Sequence, residues 1–209
     1  MYSEEEINEA LIIRHSEAVW NKLGSARVAI AGLGGLGSNV AFSLARMGVG
    51  HLHIIDFDKV DITNLNRQQY FLKHIGMKKT DALYEELMEI NPYLEIKKEC
   101  VKVSEENIKN LFENDDIICE AFDLPEAKSM LINGVFENYS NKIIVSGSGM
   151  AGYGRSNEIR TRKVAKNFYI CGDDYSDIKD GFGLMSARVA ICAAHEANLI
   201  AEIIIDGIK

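Results

Sequence analysis

No stretch of this chain approaches the roughly 20 consecutive apolar residues that a membrane-spanning helix needs, so no helical span and no membrane partner are expected. Basic residues are scarce as well: 23 Lys and Arg stand against 31 Asp and Glu, for a net charge of -8. A dedicated nucleic-acid binder needs clustered cations for its phosphate contacts, so no nucleic-acid partner is expected. The N-terminus, MYSEEEINEALIIRHSEAVW, is acidic and has no basic start, so no signal peptide is expected. Cysteines are few, and Cys100, Cys119, Cys171 and Cys192 never form a C-x-x-C pair. The paired knuckles of a structural zinc site are therefore missing, though spacing alone leaves a four-cysteine site open. Cys100, Cys119 and Cys192 have apolar neighbours and read as small core residues; a reduced, cytoplasmic protein is the simplest reading. His15, His51, His53, His74 and His195 lack ligand spacing and carry no assigned role.

What is present is an ordinary apolar fraction, 47% of 209 residues, enough for one α/β domain with a substantial core and too short for two comfortable ones. No repeat or linker divides it, so residues 1–209 read as one domain. Ser3 followed by Glu6 is a capping-box pattern opening a helix over the first 22 residues, with Ile7, Ala10, Leu11 and Val19 as its apolar stripe. Strands are expected over 28–31, 52–56, 94–103, 116–120 and 142–146, and one or two antiparallel strands over 155–169. Helices are expected over 35–47, 79–90 (stopped by Asn91-Pro92), 104–112 (capped by Ser104), from Pro125 onward, and over 184–205. Residues 58–74 form a long polar loop, which usually signals function, and 171–181 an acidic, flexible segment. Strands alternating with helices predict a Rossmann-like, doubly wound, mainly parallel sheet, with antiparallel strands toward the C-terminus and an N-terminal helix.

The most informative run is 27–68. Gly32, Gly34 and Gly37 form G-x-G-x-x-G directly after the first strand, and the second strand ends on Asp56, about twenty residues on. That spacing belongs to a nucleotide-binding βαβ unit, with the acid toward the ribose. It does not distinguish a redox dinucleotide from ATP. Beyond it the chain reads D-F-D-K-V-D-I-T-N-L-N-R-Q (56–68), then G-x-x-K at Gly76–Lys79, then Asp123 after a strand.

With these motifs the chain resembles the ThiF/MoeB/HesA family, bacterial relatives of the ubiquitin-activating enzymes, over most of its length and most of all the short ThiF form. The resemblance implies ATP-dependent adenylation of the C-terminal Gly-Gly carboxylate of a small ubiquitin-fold sulfur carrier of the ThiS type, in thiamine biosynthesis, with release of pyrophosphate. It places Gly35 over the nucleotide beside Gly32, Gly34 and Gly37, and Asp56 on the ribose hydroxyls. Asn64 and Arg67 would bind phosphates, Lys79 would approach the α-phosphate, and Asp123 would hold Mg2+. It also puts Arg14 of the N-terminal helix in a partner subunit's ATP site, which implies a homodimer. No structural zinc is expected.

Other readings of the same residues stay open. Arg67, Lys79 and Arg14 could be solvated surface charges, and Asp123 could cap the helix opened by Pro125. Asp58 and Asp61 suit loop-shaping bonds better than contact with ATP. The run Gly147-Ser148-Gly149-Met150-Ala151-Gly152 could let an extended carrier tail approach closely, or be a plain glycine-rich turn. The chain departs from the family in having Asp123-Leu124 for Asp-Asn, in lacking the zinc cysteines, and in having no sulfur-transfer cysteine in D-I-K-D-G-F-G before the last helix. Cys171 is the nearest candidate, at a place where it could be exposed, but neighbouring aspartates disfavour a reactive thiolate. Three alternatives remain: a tRNA threonylcarbamoyladenosine dehydratase working through an adenylated carboxylate, an NAD-dependent oxidoreductase, and a non-catalytic nucleotide-binding scaffold.

Overall fold

The computed structural model describes residues 2–207 apart from 178, 180 and 182. Seven strands form one sheet in the order β3-β2-β1-β4-β5-β7-β6. They are β1 (Arg27–Ala31), β2 (His51–Ile55), β3 (Glu95–Glu99), β4 (Ile117–Glu120), β5 (Ile143–Gly147), β6 (Arg160–Ala165) and β7 (Phe168–Gly172). All neighbours are parallel except β6 and β7, which run antiparallel at the C-terminal edge. The expected fold class is the one observed.

The central strands are apolar on both faces, as strands covered on both sides must be. Val28 and Ile30 of β1 and Cys119 of β4 face one core, together with Leu36, Val40 and Leu44 of α3 (Gly35–Met47) and Val189, Cys192 and Ile200 of α7 (Ser186–Asp206). Ala29, Ala31 and Ile118 face the other, against Ile108 and Leu111 of α5 (Ile108–Leu111) and Leu131 and Val135 of α6 (Pro125–Asn138). The strand order reverses between β1 and β4, and in such sheets ligands bind outside the carboxyl ends of the strands at that point.

Several expected elements shift. The N-terminal helix is two helices, α1 (Glu4–His15) and α2 (Glu17–Ser25), broken at Ser16 with a φ of 82°. Ser16 ends α1 by donating its backbone N–H to Ile12 and starts α2 by accepting from Val19. The capping box of Ser3 and Glu6 forms as expected, yet α1 has no fully buried residue. Ser104 does not cap α5: the turn before it closes when Asn107 Oδ1 accepts the Ser104 N–H. The expected strand over 94–103 shortens to an edge strand in which four of five residues are charged, which discourages further pairing. Cys100 is exposed, against the core role expected of it, because it lies just beyond that strand. Residues 173–177 form a turn rather than a loose segment: Asp173 Oδ1 accepts the N–H groups of Tyr175 and Ser176, and its other oxygen pairs with buried Arg188 of α7. Positions 178 and 180 of that segment, and 182 beyond it, lie outside the described residues.

Glu196 of α7 is fully buried, and among the described residues neither carboxylate oxygen has a hydrogen-bond partner. Burial pushes its pKa well above the ordinary value, and the charge of Glu120 pushes the same way against Lys128. The folded protein therefore retains a proton on Glu196 that the unfolded chain releases, and stability falls as pH rises above the unfolded-state pKa. Glu196→Gln should flatten the decline of Tm between pH 6 and 9 and raise Tm at pH 8 by about 2–4 °C, the shift expected per kcal/mol in a domain of this size. Thermal melts across that pH series check it; parallel curves for the two proteins would contradict the assignment.

Candidate nucleotide site

The glycine loop leaves β1 at Ala31 and enters α3 at Gly35. Gly32 has a φ of 94°, and a Cβ there would lie 2.8 Å from the Ala121 carbonyl oxygen and 3.1 Å from the Phe122 ring. A Cβ on Gly37 would overlap the Gly32 carbonyl oxygen. Glycine is thus required at the turn and where helix meets strand. Gly34 occupies the N-cap position of α3 with no side-chain cap, so the first N–H groups of a 13-residue helix face the mouth of the loop. Uncapped N–H groups and the helix dipole favour an anion there.

Asp56, at the end of β2, is buried. One carboxylate oxygen accepts the Leu33 N–H at 2.7 Å and the other the Asp58 N–H at 2.7 Å. The residue assigned to the ribose is therefore also what ties the glycine loop to the second strand. Tyr70 adds a bond from its hydroxyl to the Leu33 carbonyl at 2.8 Å, and burial, then Asp56, raises its pKa well above the ordinary value.

Lys79, the first residue of α4 (Lys79–Ile90), is buried; its Nζ lies 2.9 Å from Asp58 and 3.7 Å from Asp56. A solvated surface lysine is ruled out. Asp58, expected only to shape the loop, is the ion-pair partner of Lys79, whereas Asp61 does shape it by accepting the Thr63 N–H. Asn64 Oδ1 accepts the Asp61 N–H in return. Arg67 is half-buried, its Cγ 3.4 Å from where a Gly35 Cβ would stand. It donates to Asn66 Oδ1 at 2.8 Å and the Thr63 carbonyl at 3.3 Å, and among the described residues it has no carboxylate partner. Asn39 of α3 bolts this arrangement together, donating to the carbonyls of Gly35 at 2.6 Å and Arg67 at 3.1 Å. Sequence reasoning missed Asn39 because a polar residue in an amphipathic helix reads as solvent-facing.

Asp123 is exposed and makes no hydrogen bond or ion pair among the described residues. It does not cap α6, whose N-cap position is Leu124 with no side-chain bond. Phe122 beside it touches Gly32, so Asp123 borders the glycine loop from the β4 side. One free carboxylate fits Mg2+, which usually takes one or two carboxylates plus substrate phosphates and water rather than an all-protein cage. Among the described residues no three His, Cys, Asp or Glu are grouped to hold a metal by themselves. Lys79 and Arg67 thus lie against the glycine loop and its acid, and Asp123 borders the loop through Phe122; Arg14, exposed in the last turn of α1, has no contact that joins it to them among the described residues.

The space beside the glycines at and just after the end of β5 is filled by this chain itself. A Cβ at Gly147 would overlap Leu36 and lie 2.9 Å from Glu196, and one at Gly149 would overlap Asp173. Cys171 is fully buried in β7, with a pKa pushed up to about 12 by burial first and by Glu196 second. The expectation that it could be exposed is corrected, and the aspartates that follow it are not the cause of its raised pKa.

A doubly wound sheet with a glycine loop at its switch point defines the broad class. Within it, the ThiF family model matches residues 8–197, and the chain belongs to the ThiF family. It is 41% identical over 135 residues to the adenylyltransferase and sulfurtransferase UBA4 of Eremothecium gossypii, a match covering 64% of this chain and 30% of that protein. It is 33% identical over 130 residues to the adenylyltransferase and sulfurtransferase MOCS3 of Culex quinquefasciatus, covering 62% and 29%. The match thus spans less than a third of these curated relatives. Among solved structures, the E. coli tRNA N6-threonylcarbamoyladenosine dehydratase TcdA in complex with ATP shares the fold at a TM-score of 0.88 and 20% identity, covering 99% of this chain and 97% of that one.

The burial of the thiols is directly testable. Burial pushes the pKa of Cys119, Cys171 and Cys192 upward, and Cys100 is the one exposed thiol. Iodoacetamide at pH 8 should label Cys100 alone in the native protein and all four cysteines after denaturation, read by peptide mass spectrometry. Rapid native labelling of Cys171 would contradict this placement.

Proposed function

We propose that this chain is an ATP-dependent adenylyltransferase that activates the C-terminal carboxylate of a small ubiquitin-fold sulfur carrier of the ThiS type. The observation that carries it is the setting of the three charged side chains around the glycine loop. Lys79 is buried at the start of α4 beside Asp56, Arg67 packs on Gly35, and Asp123 lies next to Phe122, these last two without a charged partner among the described residues. A nicotinamide dinucleotide also carries phosphates that cations can bind, but hydride transfer gives no role to a free acid beside them. Nucleotidyl transfer does, because Mg2+ held there neutralises the departing pyrophosphate.

A carrier carboxylate is already ionised at neutral pH, so no general base is needed. ATP supplies the α-phosphorus to which a carboxylate oxygen bonds as the bond to pyrophosphate breaks. The chain's part is positioning and charge neutralisation. The glycine loop and the uncapped start of α3 receive phosphate oxygens, Asp56 the ribose hydroxyls, Asn64 and Arg67 the outer phosphates, and Lys79 the α-phosphate. Asp123 would hold Mg2+. The names of the UBA4 and MOCS3 relatives describe adenylyltransferases, which supports this reading.

We further infer a homodimer. Helix α1 has no fully buried residue, Ile13 is 80% exposed, and Arg14 beside it is exposed, with no contact to its own site among the described residues. A second copy covering α1 would bring Arg14 to the neighbouring nucleotide.

A second reading, adenylation of the carboxylate of a modified tRNA adenosine, draws support from the whole-chain likeness to TcdA. The net charge of -8 speaks against it. ATP–pyrophosphate exchange distinguishes the two. Exchange that depends on a ThiS-type carrier ending in Gly-Gly supports the first; exchange that depends on tRNA supports the second. Lys79→Ala and Asp123→Ala should each lower exchange about a hundredfold or more, the scale of losing one charge-stabilising group. Near-normal rates in both variants would mean that the site has been misassigned.

A further inference from the structure

Glu120 ends β4 fully buried, three residues before Asp123, and nothing in the reading above gives it a role. A buried carboxylate is costly unless fully partnered, and this one is. Its Oε1 accepts the Phe122 N–H at 2.7 Å. Its Oε2 accepts the Ser146 hydroxyl of β5 at 2.5 Å and the Lys128 ammonium of α6 at 2.9 Å. One side chain thus joins two strands and a helix to the turn that bears Asp123. The same turn forms a wall of the nucleotide cradle, since the Ala121 carbonyl and the Phe122 ring are what a Cβ on Gly32 would strike.

We propose that Glu120 is a positioning residue: by gripping the Phe122 N–H it fixes both the wall against Gly32 and the place of Asp123. The inference rests on the assignment of Asp123 to Mg2+ above. Asp123 has no partner of its own among the described residues and does not cap the helix that follows it, so the backbone at Phe122 is what sets where its carboxylate stands. Lys128 and Ser146 neutralise and orient the grip, as outer partners do for metal-binding groups. Lys128 is only 21% exposed, so the pair is largely shielded from solvent and keeps much of its strength.

The test uses Mn2+ and a non-hydrolysable ATP analogue with the full chain, reading bound Mn2+ by electron paramagnetic resonance and the Phe122 amide by hydrogen exchange in the unliganded protein. Glu120→Ala should speed Phe122 exchange and raise the half-saturating Mn2+ concentration about tenfold or more, the usual effect of removing a partner one layer out. Glu120→Gln keeps a weaker acceptor of the same shape and should fall between the two; it decides the matter if Glu120→Ala does not fold. A purely structural role would lower Tm and leave half-saturating Mn2+ unchanged. Wild-type Mn2+ half-saturation in the folded variant, beside an impaired Asp123→Ala, would overturn the positioning role alone. Wild-type protein that binds no nucleotide, or Asp123→Ala that holds Mn2+ normally, would overturn the function reading instead.

Discussion

The site depends on one carboxylate accepting two backbone hydrogen bonds. Asp56 takes the Leu33 N–H on one oxygen and the Asp58 N–H on the other, and through them locks the glycine loop of β1 to the chain leaving β2. Both bonds are short and charge-assisted, in a place nearly closed to water, which is where such bonds are strongest. Lys79 partly balances the buried charge from 3.7 Å. The acid that the βαβ spacing assigns to a ribose is thus first a structural clamp. Any ligand it binds must use the lone pairs left over.

A second constraint acts from below the loop. Helix α3 approaches β1 so closely that a side chain at Gly37 would run into the Gly32 carbonyl. That approach turns the uncapped helix start toward the crevice between β1 and β4. On the far side Glu120 holds the opposing turn. The cradle is therefore bounded by two buried acids at the ends of the two strands that flank β1, Asp56 after β2 and Glu120 at the end of β4. Each acid has a cation beside it, Lys79 and Lys128 respectively.

Much of this was legible in the sequence, for identifiable reasons. Helices α3 and α4 begin and end where the periodicity puts them, because glycine, capping and proline signals are local. The βαβ spacing pointed to Asp56 and the glycine loop, which a hydrogen bond does join, and Lys79 and Arg67 lie against the same loop and acid. The break at Ser16 was hidden because a left-handed serine has no sequence signature, whereas a glycine there would have shown. Cys100 and Cys171 exchanged their expected environments. Local hydrophobicity does not say whether a strand lies at the sheet edge, as β3 does, or inside it, as β7 does. Glu120 read as a mere strand end, since its partners Ser146 and Lys128 lie 26 and 8 residues away and only folding assembles them.

The charge around the glycine loop bears on what else the site needs. Asp56, Asp58 and Asp123 stand against Lys79 and Arg67, three carboxylates to two cations. A polyphosphate entering that set meets a field that is, on balance, negative, despite the favourable helix start. On the proposed reading the deficit is made up from outside the chain. Mg2+ at Asp123 would turn one repulsive acid into an attractive centre, and Arg14 from a second copy would add the missing cation. Neither addition alone would leave the site strongly positive. An enzyme built this way would bind the nucleotide weakly without metal or as a monomer, and assembly and metal would act together on affinity rather than on the chemical step alone.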